Sequence, residues 1–156
     1  MQVTIFRKKQ KTLSLDKNNI TKILKSACIQ IGLEKKYPGE IPQLNVCIVD
    51  RKKIIELNEE FLRHAGETDV IAFAYEDEDL DIAGEIYVCE DVAKDSAEKY
   101  NNSFSEELIL YMIHGMLHLA GYDDTNDKDR RKMKKAEQEN MDILKQKFKL
   151  EKIFSQ

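Results

Sequence analysis

Two histidines four residues apart, His114 and His118, sit inside an almost wholly apolar run, and this pair limits the possible folds more than any other feature. Leu108, Ile109, Leu110, Met112, Ile113, Leu117 and Leu119 surround them. On a helix, positions i and i+4 share a face, so both imidazoles can aim at one point. An imidazole pair in apolar surroundings is costly unless it has a partner. Gly121 follows three residues after His118 and can take the left-handed backbone that ends a helix and turns the chain back. Asp124 comes three residues later, within reach of the same point. Two histidines and a carboxylate suffice to hold a catalytic Zn²⁺ with one position left open. The plainer reading is two ordinary histidines that happen to share a face. Two of the chain's three histidines lie here, which favours the metal.

The flanking pattern predicts a scaffold for that helix. Residues 3–6 alternate as a short strand. Asp16 is an N-cap for a helix running to Ile31, with Ile20, Ile23, Leu24, Ala27 and Ile31 at the 3.6 period and Gly32 as its stop. Residues 34–42 carry both prolines and read as a connection. Residues 43–49 alternate as a second strand, with Leu44, Val46 and Ile48 on one face. Asp50 caps a helix through Leu62, whose apolar side includes Ile54, Ile55, Phe61 and Leu62. Residues 68–75 form a third strand, apolar enough to be buried on both faces. After the acidic connector 76–81, residues 84–89 form a fourth strand, antiparallel to the third. A short helix runs from Glu90 to Tyr100. Ser103 and Glu106 make a capping box that opens the histidine helix. Asn126 and Asp127 begin a final helix reaching Phe148, with Met133, Ala136, Ile143, Leu144 and Phe148 inward. The expected architecture is α+β: a mixed sheet of about four strands with helices packed on it, the site helix resembling that of zinc metalloproteases. Residues 1–156 are expected to form one domain.

Composition narrows the function. With 42% hydrophobic and 35% charged residues, the chain suits a soluble domain, and its apolar runs are too short to cross a bilayer. Residues 1–6 and the basic Arg7-Lys8-Lys9 after them lack the layout of a signal peptide, so a cytoplasmic location is expected. Cys28, Cys47 and Cys89 are odd in number and form no C-x-x-C pair; they suggest neither disulfides nor a thiolate zinc site. The net charge of −4 does not advertise nucleic acid, although local basic patches can still serve. Three such patches exist: residues 7–11, Arg51-Lys52-Lys53, and residues 128–135 just beyond the site turn. Each also reads as a solvated helix or turn face.

The motif matches the metzincin pattern H-E-x-x-H-x-x-G-x-x-H at four points, with Asp124 in the last slot. The glutamate of that pattern is the protease's general base, and here its position is Gly115. A metzincin-like zinc peptidase is thereby disfavoured. The glycine would also allow substrate or another backbone segment to come close to the metal.

His114-Gly-x-Leu-His118-Leu-x-Gly121-Tyr-Asp resembles the signature of the YbeY family of bacterial endoribonucleases, H-G-x-L-H-L-x-G-Y-D-H. Asn58-x-x-Phe61, then Thr68-Asp69-Val70-Ile71-x-Phe73 and Gly84-Glu85-Ile86, resemble further segments of that family in the same order. The similarity spans roughly residues 44–140, far more than a zinc motif alone. It implies one α+β domain, one Zn²⁺ per chain, cleavage of single-stranded RNA, 16S rRNA 3′-end maturation and ribosome quality control. Its implied partners are single-stranded RNA and the rRNA of the small ribosomal subunit, with neither DNA nor membrane. A non-enzymatic ribosome-associated module with a structural metal is the other alternative, and a fourth protein ligand such as Asp123 would favour it.

Two departures bear on catalysis. The family's third ligand is usually histidine, and this chain has Asp124, with Asp123 as its neighbour. An arginine usually follows the aromatic of N-x-x-Y/F, and this chain has Leu62 there and Arg63 one step later. One step on a helix is about 100°, so Arg63 replaces that arginine only if the helix ends there or its side chain swings across. Otherwise it is a solvated arginine at a helix end. In the catalytic role Arg63 would stabilise charge building on the phosphate, with His64 as a further cation if protonated.

Overall fold

The computed structural model describes residues 1–8, 13–36, 43–75 and 82–155. Its elements are β1 (Gln2–Arg7), β2 (Ser14–Leu15), α1 (Lys17–Ile31), α2 (Leu33–Lys36), β3 (Gln43–Val49), α3 (Arg51–Leu62), β4 (Val70–Ala74), β5 (Ile82–Cys89), α4 (Glu90–Tyr100), α5 (Phe104–Leu119) and α6 (Asp127–Lys147). A 3₁₀ turn, Leu150–Lys152, and the strand β6 (Phe154–Ser155) follow.

Alternation in β3 explains its place in the middle of the sheet. Leu44, Val46 and Ile48 are buried on one face, and both edges are paired. The sheet order is β1-β3-β5-β4, with β1 and β5 parallel to β3 and β4 antiparallel to β5. The architecture is α+β with a mixed four-stranded sheet, as the periodicities require. One face of the sheet meets α1 and α5, with α6 packed on those helices, through a core that includes Ile20, Leu24, Val46, Ile86, Ile109, Met116 and Leu144. The other face carries α3, packed through Ile54 and Leu57 against Ile71 and Cys89. The helix α5 is thus enclosed by the sheet on one side and helices on the other. That is why its sequence is apolar nearly all round.

The N-caps follow the sequence. Asp16, Asp50, Ser103 and Asn126 each accept from a backbone N–H three residues on, and Gly32 closes α1 in the left-handed conformation at φ 82°. Several expectations are corrected. Phe61 and Leu62 are exposed rather than inward, and Leu57 is buried instead. In α6, Ile143 is exposed and Met141 takes its place in the core. Strand β4 is shorter than expected and lies at the sheet edge, so only Ile71 is fully covered although both its faces meet a helix. The pair β2–β6 joins the two ends of the chain and is too short to show any period in the sequence. Parts of the basic segment 7–11 and of the connection 34–42, and all of the acidic connector 76–81, lie outside the described residues.

The N-terminal basic segment contains a structural arginine. Arg7 Nε donates to Glu90 at 2.9 Å and Nη1 donates to the Leu13 carbonyl at 2.8 Å, with the guanidinium over the Phe154 ring. Both charged side chains are almost fully buried, at 6% and 2% exposure. Arg7 is therefore spent inside the protein and is not available to a nucleic acid. Among the described residues, no helix is long and apolar enough to cross a membrane.

Candidate metal centre

His114 and His118 lie one turn apart on α5, their rings nearly perpendicular at 82°. Their Nε2 atoms stand 3.0 Å apart. The chain leaves α5 through Gly121, whose φ of 104° is unfavourable for a side-chain-bearing residue. That turn returns Asp124, whose Oδ2 lies 3.3 Å from His114 Nε2 and 3.4 Å from His118 Nε2. The three atoms form a nearly equilateral triangle. A tetrahedral ion with bonds of about 2.0–2.1 Å spaces its ligand atoms by about 3.3–3.4 Å. The trio therefore fits a divalent cation, and it is the group of potential ligands that the described residues bring together. Asp123 does not join it: its Oδ1 accepts from the Asp124 N–H at 2.8 Å and its Oδ2 from the Thr125 hydroxyl.

The outer nitrogens orient the rings. His114 Nδ1 is hydrogen-bonded to Glu137 on α6, and His118 Nδ1 donates to the Tyr122 carbonyl at 3.1 Å. With the protons held at Nδ1, both Nε2 lone pairs face the common point. Such partners fix the tautomer and ring angle of a ligating histidine. Burial acts to lower the His114 pKa, but the hydrogen bond and charge of Glu137, with Asp69 and Asp124 nearby, outweigh it and raise the pKa above its ordinary 6.5.

Gly115 has a role the sequence did not suggest. A Cβ there would lie 2.7 Å from Ile86 Cγ2 and 3.1 Å from Val70 Cγ2. The glycine lets α5 sit against β4 and β5 and does not open a path for substrate. A glutamate at this position would press into the sheet, so the protease base is excluded by packing as well as by residue type.

A cavity of about 250 Å³ opens beside the trio, lined by Asp69, Leu110, Tyr111, His114, Asp124, Arg130, Met133, Lys134 and Glu137. Arg63 is not part of this lining. It follows α3 in the left-handed conformation at φ 54°, with the His64 N–H bonded to the Asn58 carbonyl. The helix ends at Leu62, so Arg63 occupies the position just past it. The side chain is exposed. Three contributors were given no part in the site by the sequence: Glu137 and the Tyr122 carbonyl, which hold the two Nδ1 atoms, and Asp69, which lines the cavity. Asp69 also bonds the Val70 N–H.

The chain is similar to known proteins over most of its length. The family model described as Endoribonuclease YbeY matches residues 5–145. A protein of that name from Thermotoga neapolitana is 42% identical over 113 residues, 71% of this chain and 73% of the relative. Another, from Thermosipho melanesiensis, is 40% identical over 94 residues, 60% of this chain and 67% of the relative. The solution structure of TM1509 from Thermotoga maritima superposes with a TM-score of 0.59 at 31% identity, covering 91% of this chain and 88% of that one.

Proposed function

The chain belongs to the Endoribonuclease YbeY family, and on that footing we propose that it is a metal-dependent endoribonuclease of rRNA processing. Its substrate is single-stranded RNA, and its task is maturation of the 16S rRNA 3′ end and ribosome quality control. It works as a single domain over residues 1–156, in the cytoplasm, on the rRNA of the small ribosomal subunit.

The observation that carries this reading is the triangle of His114 Nε2, His118 Nε2 and Asp124 Oδ2, with edges of 3.0 to 3.4 Å. Nitrogen and carboxylate donors at tetrahedral spacing suit Zn²⁺, one per chain, with the fourth position open. A divalent cation there supplies Lewis-acid charge to a phosphoryl oxygen and makes a water more acidic. Glu137 and the Tyr122 carbonyl keep the Nδ1 protons in place, so neither ring has to reorient. Asp124 contributes a negative charge where the family usually has a neutral histidine, which tempers the cation's acidity. Arg63, at the end of α3, is the cation assigned to the charge that builds on the phosphate.

Metal analysis and a cleavage assay on single-stranded RNA test the proposal. The purified protein is expected to hold about one divalent ion per chain, to cleave single-stranded RNA, and to lose cleavage on chelation. His114→Ala and Asp124→Ala should abolish cleavage. A His114→Ala protein that cuts as fast as the parent would overturn the assignment of the site.

A further inference from the structure

We propose that Arg130 and Lys134, on the first turns of α6, grip backbone phosphates of the RNA beside the metal ligands. The inference deepens the reading of the protein as an RNA-cleaving enzyme and rests on it.

The basic run 128–135 looks uniform in sequence, and the fold divides it. Arg130 and Lys134 are one helical turn apart and both line the cavity that holds His114 and Asp124. Lys128 and Lys132, also one turn apart and exposed like the first pair, line none of it. The two pairs point in different directions, because a two-residue step rotates by about 200° on a helix. Lys134 has no ion-pair partner among the described residues. Arg130 pairs with Asp127, an exposed residue three positions away on the same helix, and such a surface pair is easily exchanged for another anion.

Charge explains why the site needs both. The cavity holds three carboxylates, Asp69, Asp124 and Glu137. A divalent cation on the trio would not neutralise them, so a phosphodiester would meet net negative charge. Arg130 and Lys134 reverse that sign. Arginine matches phosphate oxygens with two parallel N–H donors, and lysine acts as a point charge. The apolar part of the lining, Leu110, Tyr111 and Met133, can lie against a ribose or base. At about 250 Å³ the cavity is smaller than the about 300–1,000 Å³ of pockets that enclose a separate ligand.

The test is binding of a fluorescent single-stranded oligoribonucleotide to the metal-loaded full chain, read before cleavage proceeds, across a series of salt concentrations. Arg130→Ala with Lys134→Ala is compared with Lys128→Ala with Lys132→Ala, which removes the same charge from the other direction. Each lost phosphate contact lowers the slope of log K against log salt by about 0.7 for single strands. The cavity pair should therefore lower the slope by about 1.4 and weaken binding by roughly tenfold at low salt. The control pair should leave the slope near the parent's. Equal losses from both pairs would overturn the proposal, and so would an unchanged slope for the cavity pair. Retained metal content in both variants separates phosphate grip from damage to the trio. If the parent binds no single-stranded RNA, the RNA reading itself fails. If the parent binds and cleaves while the cavity variant matches it, only this inference fails.

Discussion

Two charged pairs cross the interior of this protein, and they end differently. Arg7 and Glu90 meet from positions 83 residues apart, and His114 and Glu137 from positions 23 apart. In the first pair all three guanidinium nitrogens are engaged: Arg7 bonds the carboxylate through Nε and Nη2 and the Leu13 carbonyl through Nη1, and lies over Phe154. It closes on itself and serves the fold. In the second pair Glu137 engages only Nδ1, leaving Nε2 aimed at His118 and Asp124. One nitrogen of that imidazole is structural and the other is functional. The difference teaches that a buried ion pair marks a site only when one of its groups keeps an unsatisfied direction that converges with others.

The contrast can be broken most forcefully at the closed pair. Glu90→Ala strands Arg7 without a counter-charge and should cost about 3–5 kcal/mol of stability, read from denaturant unfolding. Metal stoichiometry of the folded fraction should not change. Glu137→Ala acts the other way. Unfolding of the metal-free protein should shift little, while metal affinity, followed by competition with a chelating dye, should fall by about 10–100-fold. A Glu137→Ala variant that unfolded as readily as Glu90→Ala would erase the distinction.

Smaller effects sharpen it. Gly115→Ala gains about 1 kcal/mol of helix propensity. It also forces a methyl against Ile86 in a packed core, at about 1–3 kcal/mol. The net change should be a modest destabilisation with metal affinity per folded molecule intact. The finest probe is the His114 titration in metal-free protein, followed by NMR. Its pKa should lie above 6.5, because the Glu137, Asp69 and Asp124 carboxylates favour the imidazolium. In the metal-free state its contribution to stability is therefore present below 6.5 and is lost as pH rises through the raised value. Glu137→Gln should move that value down and shrink this contribution.

Much of the architecture was legible because its signals are local. Caps at Asp16, Asp50, Ser103 and Asn126, the stop at Gly32 and the alternation of residues 43–49 each depend on neighbours a few positions away. Helix edges were read less well. Phe61 and Leu62 looked inward because an apolar residue at the end of a helix carries no record of whether anything lies opposite it. The trio was visible for the same reason as the caps: an i, i+4 spacing and a glycine turn fall within eleven residues.

The sequence by itself determined the ligand set His114, His118 and Asp124 as candidates, and the strand and helix periods that carry them. Only the tertiary structure decided what surrounds them. It showed that Gly115 accommodates Ile86 and Val70, that Glu137 orients His114, and that Arg7 is consumed by Glu90. It also showed that Arg130 and Lys134, and not Lys128 or Lys132, border the cavity. These outcomes depend on contacts between elements far apart in the chain. Residue spacing encodes which side chains share a face, but not what that face will meet.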